Sequence, residues 1–178
     1  MIMEEQSDEE LVGACLAGNR NAFEQLVRRH QDSVYGLAVS MTRNHADASD
    51  MAQEAFVRAY LKLDQFNPEY SFRSWVLRIC ANQTKNLFRK RVNRQRMEDG
   101  YQLEEAVREA AVTPDYQELE AAMARLPSKL SAPLRLKYIE GLAYDEMAKV
   151  LGIGISAAKM RVLRARNQLA GLMNYEKA

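Results

Sequence analysis

An all-α protein of two small helical domains is the fold class predicted by three features of the sequence. Gly and Pro are scarce, 8 and 4 of 178 residues, which leaves little material for the turns of a many-stranded sheet. Ala, Leu, Glu, Arg, Gln and Met, all good helix formers, dominate instead. Apolar residues recur at three- and four-residue spacing, with no competing alternation. A make-up of 47% apolar and 28% charged residues is that of a soluble globular chain and argues against wholesale disorder.

Four helices are expected in the first half. Ser7 and Glu10 form a capping box that opens a short helix through Leu16, stopped by Gly18 and Asn19. Asn21 is placed as the cap of the second, where Phe23, Leu26, Val27, Val34, Leu37, Ala38 and Met41 recur at helical spacing as far as Arg43. Asp47 is placed at the start of the third, with Met51, Ala55, Phe56, Ala59, Tyr60 and Leu63 as its apolar stripe. Asp64 to Tyr70, with Asn67 and Pro68, reads as a loop. Ser71 begins a long fourth helix with Phe72, Trp75, Val76, Ile79, Cys80 and Leu87 inward, and its basic end suits the helix dipole.

Net charge is only +1, from 25 Lys+Arg against 24 Asp+Glu, but the average hides a division. Lys85 to Arg96 holds six bases and no acid. Glu98 to Glu120 holds eight acids against Arg108 alone, and beyond Arg125 the balance turns basic again. Charge runs are commonly solvated faces; two basic ones, each at the end of a helical pattern and separated by an acidic connector, form a modular layout. The connector reads as a tether. Thr113-Pro114 then starts a helix that carries Leu119, Met123 and Leu126 and that Pro127 ends, and another runs from about Ala132 to Glu140, closed by Gly141.

The strongest local signal is GLAYDEMAKVLGIGISAAKMRVLRARNQL, a helix-turn-helix pattern. Tyr144 to Leu151 form its first helix, and Ala148 is small where two helices cross. Gly152 permits the tight turn, Ile153 plugs the gap, and Ser156 is placed as the cap of the second helix. There Ala158, Val162, Leu163 and Leu169 form the packing stripe, while Lys159, Arg161, Arg164 and Arg166 project elsewhere. Arg can read guanine edges in a major groove, and the other bases neutralise phosphates. The fourth helix pairs aromatics (Phe66, Tyr70, Phe72, Trp75) with bases, a chemistry that suits unstacked single strands, and Asn82 could bond an extruded base. Phe72 and Trp75 also share a face with Ile79, so the core claims part of them.

Cys15 and Cys80 lie far apart, without the spacing of a zinc site, and His30 and His45 are the only histidines. Both cysteines are expected in the core, with no metal site and no cofactor. No apolar run approaches the roughly 20 residues of a membrane span. The acidic start, MIMEEQSDEE, is unlike a secretory signal, so the expected location is cytoplasmic, with no direct membrane insertion. No carboxylate–histidine or metal constellation suggests an enzyme.

One module for duplex DNA and one for melted DNA is a combination with a family behind it. DASDMAQEAFVRAYLKLDQF followed by SFRSWVLRICANQTKNLFRKR resembles region 2 of bacterial sigma factors of the extracytoplasmic-function (ECF) group of the sigma-70 family, and LRLKYIEGLAYDEMAKVLGIGISAAKMRVLRARNQL is similar to their region 4. The resemblance implies a region 2 four-helix domain over 1–96, an acidic linker over 97–113 and a region 4 helix-turn-helix domain over 114–178. It implies a non-enzymatic factor that binds core RNA polymerase through the β′ clamp helices and the β flap, and directs it to promoter DNA under the control of an anti-sigma factor. Asp50, Gln53 and Glu54 fall where the family docks on the clamp helices. Phe72, Trp75, Arg78, Asn82, Lys85, Arg89 and Lys90 fall where it engages the −10 element. Ser156, Lys159, Met160, Leu163 and Arg164 fall in the −35 helix, with Arg161 and Arg166 on the DNA backbone. The chain departs from the family in carrying Ala143 where Ser or Thr commonly caps the first helix of the motif. The competing class is a stand-alone helix-turn-helix regulator, which would dimerise on a palindrome; nothing beyond Leu169 reads as a dimerisation helix.

Overall fold

A computed structural model describes residues 6–97 and 117–175. The acidic tether beyond Met97 and the expected helix start at Thr113-Pro114 lie outside the described residues. Among the described residues the protein is all-helical: α1 (Asp8–Leu16), α2 (Arg20–Thr42), α3 (His45–Leu61), a 3-10 turn (Leu63–Gln65), α4 (Phe72–Met97), α5 (Gln117–Ala124), α6 (Ser128–Tyr138), α7 (Tyr144–Leu151) and α8 (Ile155–Tyr175).

Helix α1 starts as expected. Ser7 Oγ accepts from the Glu10 amide at 3.2 Å while Glu10 Oε2 accepts from the Ser7 amide at 2.7 Å, satisfying two donors that a helix start leaves without partners. The caps of α2 and α3 fall earlier than placed. Asn19, not Asn21, caps α2, its Oδ1 accepting from the Asn21 amide at 3.1 Å. Asn44, not Asp47, caps α3, its Oδ1 accepting from the Ala46 and Asp47 amides. Several Asx residues adjoin each boundary, and only the one with extended backbone can turn its side chain back onto the first amides. Asp47 serves elsewhere: both its carboxylate oxygens accept from Arg91 of α4 at 2.7 Å.

Helices α2, α3 and α4 pack on one another, with α1 laid across α2. Ala48, Ala52, Ala55 and Ala59, four and three residues apart, form a buried seam on α3 that lets neighbouring backbones come close. Leu26, Val34 and Leu37 of α2 and Val76, Leu77, Cys80 and Ala81 of α4 fill the space against it. Leu87 is half-buried and Tyr60 is exposed, so both contribute less to the core than their spacing suggested. The α1–α2 crossing is held by Asp8, which accepts from Arg29 and pairs with His30 Nε2, each at 2.6 Å. Burial keeps the His30 imidazole below its ordinary pKa, against the upward pull of Asp8.

Helix α6 begins at Ser128, four residues earlier than expected, and contains Pro133. The Leu130 and Ser131 amides donate to the Pro127 carbonyl at 2.8 and 2.9 Å, so the chain is already helical before the proline. Pro133 forgoes one bond, to the Lys129 carbonyl, and its ring is buried. Gly141 takes a positive φ of 68° and turns the chain out of the helix, as expected. A second cluster, Met123, Leu126, Leu134 and Ala165 with Leu130, Leu169 and Leu172 against it, holds α5, α6 and α8 together. Cys80 is fully buried, and desolvation pushes its thiol up to about 12. Cys15 is half-buried, so the core expectation holds fully for Cys80 and partly for Cys15.

Candidate functional site

Helices α7 and α8 form the anticipated helix-turn-helix. Gly152 caps α7 at φ 59°, ψ 46°, a left-handed conformation that costs glycine little, and the Ile153 amide donates back to Ala148. Ala143 occupies the cap position of α7 and has no side-chain acceptor, so only the Glu146 half of a capping box is made, Oε2 to the Ala143 amide at 3.0 Å. The Ala143→Ser variant is expected to supply the missing acceptor and raise the stability of the chain by about 1 kcal/mol. Urea denaturation followed by helical circular dichroism would measure it.

Helix α8 starts at Ile155, so Ser156 lies inside the first turn and is not its cap. Ala158, Val162 and Ala165 are buried and Leu169 is half-buried, at spacings of four, three and four. Leu163 leaves the packing stripe assigned to it: it is 49% exposed, and Ala165 takes its place. The opposite face exposes Ser156, Lys159, Met160, Leu163, Arg164 and Arg166, and Arg161 is half-exposed at the edge. Lys159 Nζ rests 5.8 Å from the centre of the Tyr144 ring. One helix thus presents apolar and cationic side chains together on a convex ridge, the form that fits a major groove.

On α4, Trp75, Arg78, Asn82, Lys85 and Arg89 stand three and four residues apart and share one stripe of the helix. Arg78, Asn82 and Arg89 are exposed, as is Lys90 beside the stripe. Trp75 is half-buried, 5.3 Å from Phe66 and 5.8 Å from Phe72 between ring centres. Phe72 does not belong to this surface. Its exposure is 0%, and it is enclosed by Phe23, His30, Phe66 and Trp75, so it supports the stripe from beneath. Lys85 is half-buried and donates to the Leu151 carbonyl at the end of α7; burial, with Arg161 and Arg78 nearby, lowers its pKa.

The third surface lies on α3. Asp50 and Gln53 are exposed, and the half-exposed Glu54 accepts from Arg58 Nε at 2.6 Å. Gln53 also borders a groove of about 780 Å³ between α2 and α3, whose apolar walls include Phe23, Val27, Val57, Tyr60 and Leu61. Val57 and Leu61 are 48% and 71% exposed. Sequence reasoning found the polar strip and missed the groove. Its signal was Val57 and Leu61, one turn apart and off the buried seam of α3.

Residues 26–94 match the family model described as Sigma-70 region 2, and residues 116–169 match that described as Sigma-70, region 4. The RNA polymerase sigma factor CnrH of Cupriavidus metallidurans is 35% identical over 185 residues, covering 97% of this chain and 97% of the relative. The ECF RNA polymerase sigma-E factor of Haemophilus influenzae is 30% identical, over 94% of this chain and 96% of its own. The chain belongs to the ECF group of the sigma-70 family of RNA polymerase sigma factors.

The same family carries the solved structures it resembles. The sigma factor RpoE of Bartonella quintana, in complex with the anti-sigma factor NepR, superposes with a TM-score of 0.72 at 27% identity, over 85% of this ECF chain and 96% of that one. CnrH in complex with the cytosolic domain of CnrY gives 0.67 at 29%, over 96% and 99%. For this ECF sigma factor the two-module architecture, regions 2 and 4 in order along one chain, is therefore that of its family, and the initiation-factor reading stands over the lone dimeric regulator.

Proposed function

We propose that this sigma factor directs core RNA polymerase by dividing three tasks among its three surfaces. The observation that carries the reading is α8, which buries Ala158, Val162 and Ala165 while exposing Lys159, Met160, Leu163 and Arg164, so the fold is maintained by one stripe and the other is left for bases of the −35 element. Arg161 and Arg166 hold phosphates. On α4, Trp75, Arg78, Asn82, Lys85, Arg89 and Lys90 engage the −10 element, the ring and amide facing an extruded base and the cations its backbone. The factor does no covalent chemistry, and it acts in the cytoplasm, where polymerase and promoter are.

Polymerase docks on Asp50, Gln53 and Glu54, and the adjoining α2–α3 groove adds apolar contact to the polar strip. Region 4 reaches the β flap. The domain limits 1–96, 97–113 and 114–178 are kept, since the two family matches, 26–94 and 116–169, fall inside the outer two. An anti-sigma factor is proposed as the regulator, because both structural neighbours cited above are held by a partner.

Run-off transcription with purified core polymerase and a library of upstream DNA fragments tests the whole reading. Start sites that appear only on adding the chain, and weaken in both Arg164→Ala and Asn82→Ala, are the expected result; the absence of such sites, with duplex binding by the chain alone, would overturn it. The docking part is tested by Leu61→Glu. A charge on a 71% exposed position leaves the fold intact and is expected to weaken binding to core polymerase by about tenfold, roughly the 1.4 kcal/mol that a modest apolar patch contributes when it is shielded from water, as read by fluorescence titration.

A further inference from the structure

Region 4 lies directly against region 2 and takes up Lys85, one of the residues proposed above for the −10 element. Helix α7 packs along α4, and α6 packs along α2. Leu142, Met147, Val150 and Leu151 join the same buried cluster as Val34, Leu37 and Val76, so the two regions share a core. The polar contacts of this seam use the exposed side of α4. Lys85 Nζ donates to the Leu151 carbonyl, one of the last carbonyls of α7, which the helix itself leaves without a donor. Ser74 Oγ lies 3.4 Å from Glu146 Oε1, and Lys149 Nζ sits 4.8 Å over the Tyr70 ring.

The fit between α6 and α2 is specific to one glycine. The Arg135 guanidinium occupies the space that a Cβ on Gly36 would fill, and behind it Arg135 Nε lies 3.4 Å from the buried Glu140 carboxylate. Any side chain at position 36 would therefore expel Arg135. A lysine held by a peptide carbonyl cannot at the same time hold a phosphate.

We propose that this packing is an autoinhibited form of the free chain, in which the end of α7 takes up Lys85 in the middle of the −10 stripe of α4 and the Arg135–Gly36 contact acts as the latch, so that the whole stripe engages DNA only once the two regions separate. The proposal rests on the assignment of Lys85 and its stripe to the −10 element. Closure also brings Arg161 of α8 toward Lys85, which already has Arg78 on its own helix, and this like-charge cluster opposes the latch and keeps the closed form easy to open.

The test uses the full chain without polymerase and a fluorescein-labelled random 12-nucleotide single strand. Gly36→Ala removes the latch in a position where alanine is the better helix former. It is expected to bind the strand about tenfold more tightly or better than wild type, since the apparent Kd is the intrinsic Kd divided by the open fraction. In a Cys15→Ser background, Ser74→Cys with Glu146→Cys, joined by a short reducible bis-thiosulfonate linker, is expected to lose strand binding and to regain it on reduction. Equal affinities for wild type and Gly36→Ala, or undiminished binding by the linked chain, would overturn the proposal. Run-off transcription by wild type and by the reduced chain separates the two failures: initiation without any latch effect sinks the closure alone, whereas no initiation by either sinks the functional reading beneath it.

Discussion

Phe72→Ala is expected to unfold region 2, with a loss of about 3–5 kcal/mol. The ring is fully buried and meets Phe23, Phe66 and Trp75 at centre-to-centre distances of 6.4, 5.9 and 5.8 Å. Truncation removes apolar surface from the core and leaves a cavity between α2, the 66–71 loop and the start of α4. The neighbouring rings are themselves anchored and cannot collapse into it. Chemical denaturation would read this as a fall in the midpoint. Phe72→Leu, which keeps much of the volume, should remain folded and keep its affinity for single-stranded −10 DNA within about threefold, because volume-conserving core swaps cost under about 1.5 kcal/mol. The opposite pattern, a stable Phe72→Ala that has lost only its strand binding, would mean that the ring faces DNA.

Arg164→Ala is expected to cost the polymerase complex about 1–3 kcal/mol at promoters and to relax the preference at a single position of the upstream element. Arg164 is exposed on the face of α8 opposite Ala158, Val162 and Ala165, so its removal takes nothing from the packing. Selection from a library randomised across the upstream element, compared between wild type and variant, reads both effects. Arg166→Ala should differ in kind: removing a cation that holds a phosphate weakens all sequences alike and lowers the salt dependence of binding by about one ion. If Arg164→Ala behaves like Arg166→Ala, Arg164 holds the backbone and the reading of bases falls to Lys159, Met160 and Leu163.

Helix periodicity and turn chemistry made most of the architecture legible. The Ser7–Glu10 capping box, the α7 limits and the left-handed Gly152 were all visible in the residues alone, because each depends on chemistry within one turn. Helix starts were misplaced where two Asx residues compete, as at Asn19 and Asn21, or where a turn precedes a proline, as at Pro127 and Pro133, since backbone angles decide between them. Residue type located the aromatic cluster at the start of α4 but could not say which ring faces outward; three-dimensional enclosure put Phe72 inside and left Trp75 at the surface. Arg91 counted toward a basic run, yet its partner Asp47 lies 44 residues away. The α2–α3 groove and the seat of Arg135 on Gly36 arise between helices far apart in the chain, where no periodicity records them.

The alanine seam of α3 has a mechanical consequence. Ala48, Ala52, Ala55 and Ala59 carry no rotamers, so along this seam the helix has no soft side chains through which it could slide or roll against its neighbours. Asp47 and Arg91 clamp the same helix to the far end of α4 at its first turn. The strip proposed for polymerase and the stripe proposed for the melted strand are thus two arms of one stiff bracket. On that reading the bracket keeps the distance between the two surfaces constant, so what is fixed at one is fixed at the other.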